Sequence, residues 1–191
     1  MNERAPIEFR AAVPLERVDY EQRTIELVAV PWDEWATVEY RGRMIEESFA
    51  PGAFGAVDRR NEHRRVLVNL DHDLSRWVGR VESLDPRDPV GLRTELRIRR
   101  TPEGEQTLVD AADGMLGGSV GFGALPANIE WSGRSRRRIR VAYLDHIALT
   151  ATPAYVGAQV VDVRNAPGSS STPNLDRVLA ERAEQAYPQG V

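Results

Sequence analysis

Ser119 stands in Gly117-Gly118-Ser119-Val120-Gly121-Phe122, one hydroxyl among three glycines at the start of a strand-like run. Backbone that open lets a second chain approach closely, as a nucleophile requires; a plain bend in a sheet would use the same residues. The chain has three histidines, His63, His72 and His146, and the last two lie in strand-like segments on either side of Ser119. A serine hydroxyl is a poor nucleophile until a base takes its proton, and imidazole titrates close enough to neutral pH to do so. A third group must hold that base in the right tautomer. A second imidazole can accept the orienting hydrogen bond, but it brings no negative charge, which implies slower chemistry. Ser119, His72 and His146 are therefore the candidate nucleophile, general base and orienting group.

The same stretch fits G-x-S-x-G, the nucleophile elbow of α/β-hydrolases. Those enzymes order their triad as Ser, acid, His, and only Asp145 and His146 follow Ser119 as an adjacent pair. On a regular strand, neighbouring side chains point to opposite faces, so Asp145 would be unable to orient His146. The elbow reading fails on that geometry and on fold class. Simpler readings stand beside the triad: Ser119 as a glycine-rich strand residue, His72 as a surface histidine at a strand end, His146 as a core histidine bonded to backbone. A zinc site from His63, His72 and an acid is a further alternative, although the spacing of those histidines fits no compact metal motif.

Composition removes other chemistries. The chain has 191 residues, 41% hydrophobic and 28% charged, enough for one domain with a real core. It has no cysteine, which excludes disulfides, thiolate catalysis and Cys-based zinc sites. Its 25 basic residues are all arginine, which excludes a Schiff-base lysine, a Walker-type phosphate loop and a Ser–Lys dyad. The net charge of −4 argues against a dedicated nucleic-acid binder. No apolar run approaches the ~20 residues of a membrane span, and the first residues lack the apolar segment of a secretory signal, so a cytoplasmic location is expected.

The elements that must position these residues read as follows. Strands are predicted over Ile7–Val13 and Thr24-Val30, and around Tyr40 and Met44-Glu46 as a hairpin through Arg41-Gly42-Arg43. Pro51-Gly52-Ala53-Phe54 opens a short helix. A charged loop holds His63; Val66–His72 is a strand turning from apolar to polar at its end. Trp77–Glu82 and Gly91–Ile98 are strands, residues 102–115 a helix stopped by glycines, and strands follow at Ser119, at Ile129–Trp131 and over Val141–Thr150. The five arginines between Arg134 and Arg140 read as a solvated hairpin rather than a docking patch. Ala166–Pro173 is a linker by composition, and Asn174 caps a helix over Leu175–Ala186. The expected domains are residues 1–165 and a tail, 166–191. Many short strands with few helices predict a mainly β fold with flanking helices (α+β), a single, mostly antiparallel β-barrel.

Several of these pieces, in this order over roughly residues 24–160, resemble one family. They are Ile25–Val30 with Glu46 and Pro51-Gly52-Ala53-Phe54, then Val68-Asn69-Leu70-Asp71-His72-Asp73 with Gly79-Arg80-Val81 and Gly91-Leu92. Gly118-Ser119-Val120-Gly121-Phe122, Leu144-Asp145-His146-Ile147-Ala148-Leu149-Thr150 and Pro153-Ala154 complete the set. The chain resembles the prohead proteases of tailed bacteriophages, capsid-maturation serine proteases related in fold to the herpesvirus assemblins. The resemblance implies an assemblin-like barrel and a serine endopeptidase with Ser119 as nucleophile and His72 as base. Many members carry glutamate in the last motif where this chain has His146, which would give the Ser–His–His arrangement of the herpesvirus relatives, with Asp145 as the fallback third member. No metal or organic cofactor is implied. The implied partners are the major capsid protein and scaffold segments as substrates, and other copies of the protease. The implied location is the assembling procapsid in the host cytoplasm, without membrane or dedicated nucleic-acid binding. The tail is either removed by self-cleavage or used to recruit the chain. The alternative is an inactive assembly or scaffold module of the same fold, for which the glutamate-to-histidine departure speaks.

Overall fold

The computed structural model describes residues 6–9, 15–59, 63–151 and 162–164. Thirteen strands and two helices follow one another as β1 (Glu8–Phe9), β2 (Arg17–Asp19), β3 (Thr24–Pro31), β4 (Ala36–Tyr40), β5 (Arg43–Phe49), α1 (Gly55–Arg59), β6 (Leu67–Leu70), β7 (Asp73–Asp85), β8 (Gly91–Ile98), α2 (Pro102–Ala112), β9 (Gly117–Gly123), β10 (Ile129–Ser132), β11 (Arg136–Ile139), β12 (Tyr143–Thr150) and β13 (Asp162–Arg164). Nine strands form one sheet in the order β1-β9-β12-β6-β7-β8-β3-β2-β13, and β10-β11-β5-β4 form a second.

The fold is mostly β with few helices, as expected, but the closed barrel is not formed. Among the described residues the large sheet ends in two edges, β1 of two residues and β13 of three, each hydrogen-bonded to one neighbour. A barrel closes only when first and last strands pair; here both edges are short strands, the usual way an open sheet limits its exposed edge. Pairing is mainly antiparallel, with parallel pairs at β12/β6, β11/β5 and β13/β2.

The locally predicted elements mostly hold. The β4–β5 hairpin turns at Arg41 and Gly42, both at positive φ, a conformation that glycine takes without steric cost. β8 spans the predicted residues and alternates outward and inward along most of its length, because one face lies on the core. α2 begins with Thr101 capping the Gly104 N–H at 3.1 Å, and its buried face carries Leu108 and Ala111. Pro51–Phe54 is a turn ahead of α1 rather than the start of the helix. β2 and β13 are strands that the sequence did not signal; the tail helix lies outside the described residues. Phe49 of the small sheet packs edge-on against Phe122 of the large one, with ring centroids 4.9 Å apart, and stacks on Phe54 at 5.4 Å. These three rings, fully buried, join the two sheets in one core.

Candidate active site

Ser119 lies on β9, where every residue is buried and glycine alternates with larger side chains. Its strand neighbour is β12, with Ala148 opposite Ser119 and His146 opposite Gly121. That second pairing explains the glycine: a Cβ added at Gly121 would come within 2.2 Å of the His146 ring, closer than any real Cβ contact. The G-x-S-x-G pattern therefore serves a side chain on the adjacent strand, not an elbow.

His72 arrives differently from the prediction. The strand ends at Leu70, which pairs with Asp73, leaving Asp71 and His72 as a two-residue turn between β6 and β7. Both have positive φ, 52° and 60°. A two-residue hairpin loop needs that backbone at both positions to match the strand twist, and it is usually met with Asn or Gly. Aspartate and histidine there cost of order 1 kcal/mol each or more, a strain found mainly where the side chain must be aimed. Beyond the turn, β7 bulges outward over Leu74–Arg76 before Trp77 pairs with Asn69. Arg76 spans from Asp71 to Glu103 in the first turn of α2.

The turn delivers the ring into a hydrogen-bonded row. His72 Nε2 is 2.9 Å from Ser119 Oγ, and His72 Nδ1 is 2.8 Å from His146 Nε2. The rings of His72 and His146 meet edge to face, 5.1 Å between centroids. The row does not stop at His146, whose Nδ1 lies 2.9 Å from Asp145 Oδ2. The argument that Asp145 could not reach His146 is thus overturned. β12 carries a bulge between Leu144 and His146, so Asp145 is an extra residue without a strand partner and the alternation of faces fails there. Bulges recur beside functional sites because they re-aim one side chain without ending the sheet.

Ser119 and His146 are almost wholly enclosed, at 2% and 1% exposure. Phe9 of β1 covers both imidazoles, with its ring 4.3 Å from His72 and 5.9 Å from His146. β1 sits against the outer side of β9, with Phe9 opposite Gly121. A cleft of about 610 Å³ is lined by Phe9 together with Glu8, Tyr40 and Arg137; Ser119, His72 and His146 are not among its lining residues. Burial lowers the His72 pKa from 6.5 to about 4; His146 pushes in the same direction and Asp71 opposes both. His72 is therefore a neutral imidazole at neutral pH, the form that accepts a proton.

His63 takes no part: it lies in a 3-10 turn, His63–Arg65, ahead of β6. Among the described residues no group of three or more His, Asp or Glu side chains could hold a metal ion, so the zinc alternative finds no ligand set. No helix among them is long and apolar enough to cross a membrane. Two roles escaped the sequence reading. Phe9 lies in the predicted strand Ile7–Val13, but nothing in an aromatic strand residue marks it as the cover of two imidazoles. Asp145 stood as the fallback third member in place of His146; that both belong to the row went unread, because nothing in a single sequence marks the bulge.

Comparison with known proteins gives a family and a fold. The family model of the caudovirus prohead serine proteases matches residues 12–169. No curated protein matches the chain in sequence. Among solved structures, that of the bacteriophage T4 capsid assembly protease, gp21, is similar with a TM-score of 0.50 over 79% of this chain and 94% of that one, at 12% identity; the likeness is one of fold. The family match takes in β2 to β13, with the row Ser119–His72–His146 inside it, and the chain belongs to the caudovirus prohead serine protease family.

Proposed function

We propose that the chain is a serine endopeptidase that cleaves scaffold and capsid-protein segments, and itself, inside the assembling procapsid. The observation that carries this reading is the unbroken row of hydrogen bonds from Ser119 through His72 to His146. Ser119 Oγ attacks the scissile carbonyl carbon while its proton passes to His72 Nε2. His72 then gives that proton to the leaving amide nitrogen as the carbon–nitrogen bond breaks, which leaves an acyl-serine. Water attacks the acyl carbon, again losing its proton to His72, and the proton returns to Ser119 Oγ as the new carboxyl product departs. His146 accepts the His72 Nδ1–H and so keeps the lone pair of Nε2 facing the serine. The cleft lined by Glu8, Phe9, Tyr40 and Arg137 adjoins the ring that covers both histidines and is the candidate seat for the peptide, and the Ser–His–His order supports kinship with the herpesvirus assemblins.

Within this reading the protease domain is residues 1–165 and the tail 166–191. Substrates are the major capsid protein, the scaffold and other copies of the chain, met in the host cytoplasm within the procapsid. Co-expression with the unmatured capsid protein tests it. Wild-type chain is expected to shorten the capsid protein and itself at sites mapped by mass spectrometry, and Ser119→Ala to abolish every one of them. Unchanged cleavage by Ser119→Ala would end the protease reading.

A further inference from the structure

We infer that Asp145 is a fourth, positioning member of the relay, which sets the tautomers of both histidines and thereby presents a free lone pair to Ser119. The inference rests on the protease reading above and extends it by one residue. His146 and Asp145 then act in series, not as alternatives for one role.

The proton count along the row fixes both tautomers. Each neutral imidazole carries one N–H and one lone pair. If His72 is to accept the Ser119 proton at Nε2, its own hydrogen must be on Nδ1, 2.8 Å from His146 Nε2. His146 Nε2 must then be an acceptor, which forces the His146 hydrogen onto Nδ1. That N–H needs an acceptor, and Asp145 Oδ2 lies 2.9 Å away. An ionised carboxylate accepts only, so it permits one pattern: Ser119 O–H donates to His72, His72 N–H to His146, His146 N–H to Asp145. Without the carboxylate, the reverse pattern is equally good for the two rings. His146 would donate from Nε2 to His72 Nδ1, His72 would hold its hydrogen on Nε2, and the serine would face a donor. That state cannot start the reaction.

Geometry supports a dedicated role. His146 is buried, and the bulge at Asp145 places the carboxylate beside it where a regular strand would turn it away. The aspartate side chain is 40% exposed, so solvent screens its field at the distant His72. Hydrogen-bond direction survives that screening. Tautomer control rather than charge is therefore the effect that reaches Ser119.

The test uses the full chain with purified, unmatured capsid protein as substrate, and Asp145→Asn and Asp145→Ala as variants. Asp145→Asn keeps the side-chain shape, and thermal melting verifies its fold. Expected in Asp145→Ala is a fall in kcat of about 10- to 100-fold with KM kept, the scale of loss when an outer partner that orients a histidine is removed. A second arm needs no turnover. In a Ser119→Ala background, proton NMR should show low-field imidazole N–H signals for the His72–His146–Asp145 row, and Asp145→Ala should remove the one assigned to His146 Nδ1. Asp145→Asn can still accept the His146 N–H through its amide oxygen, so the deciding variant is Asp145→Ala: wild-type kcat there, or an unchanged His146 signal, would overturn the inference. If Ser119→Ala itself still cleaves, the protease reading has failed instead, and the two failures are told apart by that control.

Discussion

At the scale of single residues, the His72 ring trades basicity for readiness. Its pKa of about 4 keeps it neutral at every pH above that value, so a proton acceptor is always present near neutrality, though a weak one. The sign of the pH dependence follows. On the proposed mechanism cleavage needs neutral His72, so kcat/KM should be flat on the acid side until pH falls through about 4, where an unperturbed histidine would already fail near 6.5. Stability follows a different window. The unfolded chain's histidine takes up its proton near 6.5 and the folded one near 4, so this residue costs nothing above 6.5 and weakens the fold as pH drops from 6.5 to about 4. Burial is the main cause of the shift, and the Phe9 ring, 4.3 Å from the imidazole, supplies part of that cover. Phe9→Ala should let water reach His72 and move the acid limb of kcat/KM up toward 6.5. A limb that stays put in Phe9→Ala would mean that the cover comes from elsewhere.

At the scale of elements, the site depends on three departures from regular strand geometry. They are the left-handed turn at Asp71-His72, the bulge at Asp145, and the bare backbone of Gly121 under the His146 ring. The strands themselves were legible, because β3, β8, β9 and β12 carry β-branched or alternating apolar residues over seven or eight positions. Ser119, His72 and His146 were legible as residue types, since a serine among glycines and three histidines leave few choices. How His72 is aimed was not legible. An Asp-His pair in a two-residue turn is chosen by the site and not by local propensity, so the strand was read two residues too long. The same holds for Asp145: alternation set it aside as the partner of His146 and left it the fallback third member, and alternation is interrupted at that point. Gly121 offers a direct check on the element scale. Gly121→Ala should push His146 off His72, with activity lost and stability reduced by about 1–3 kcal/mol for overpacking. Gly133→Ala is the control: it sits in the β10–β11 turn at φ +67° with nothing near its missing Cβ. It should lose about 1 kcal/mol from backbone strain and leave kcat unchanged. Equal activity in the two variants would refute the packing account of the G-x-S-x-G pattern.

At the scale of the whole molecule, the arginine run that read as a solvated hairpin contains one residue of another kind. Arg136, Arg138 and Arg140 pair with Glu46, Asp33 and Glu130 on the surface, where such pairs contribute little. Arg137 is 1% exposed. Its guanidinium bonds Glu47 through Nε at 2.8 Å, pairs with Glu8 of β1, and lies over the Tyr40 ring. Glu47 is on the adjacent strand of the small sheet and just as buried, whereas Glu8 belongs to the large one. This cluster therefore ties the two sheets together and holds β1, with Phe9, against His72 and His146. A buried ion pair is a modest stabiliser as a unit, but removing one partner strands the other charge. Arg137→Met should lose about 3–5 kcal/mol by leaving Glu47 buried without its cation, read as a lower urea midpoint. Adding Glu47→Gln should recover part of that loss, since the stranded charge is then gone. The single variant should also loosen β1, so its kcat/KM acid limb should rise as in Phe9→Ala, which a purely local packing defect would not produce. A wild-type urea midpoint for Arg137→Met would show that the pair is not structural. A lowered midpoint with the acid limb unmoved would show that the cluster joins the sheets without anchoring the strand that covers the site.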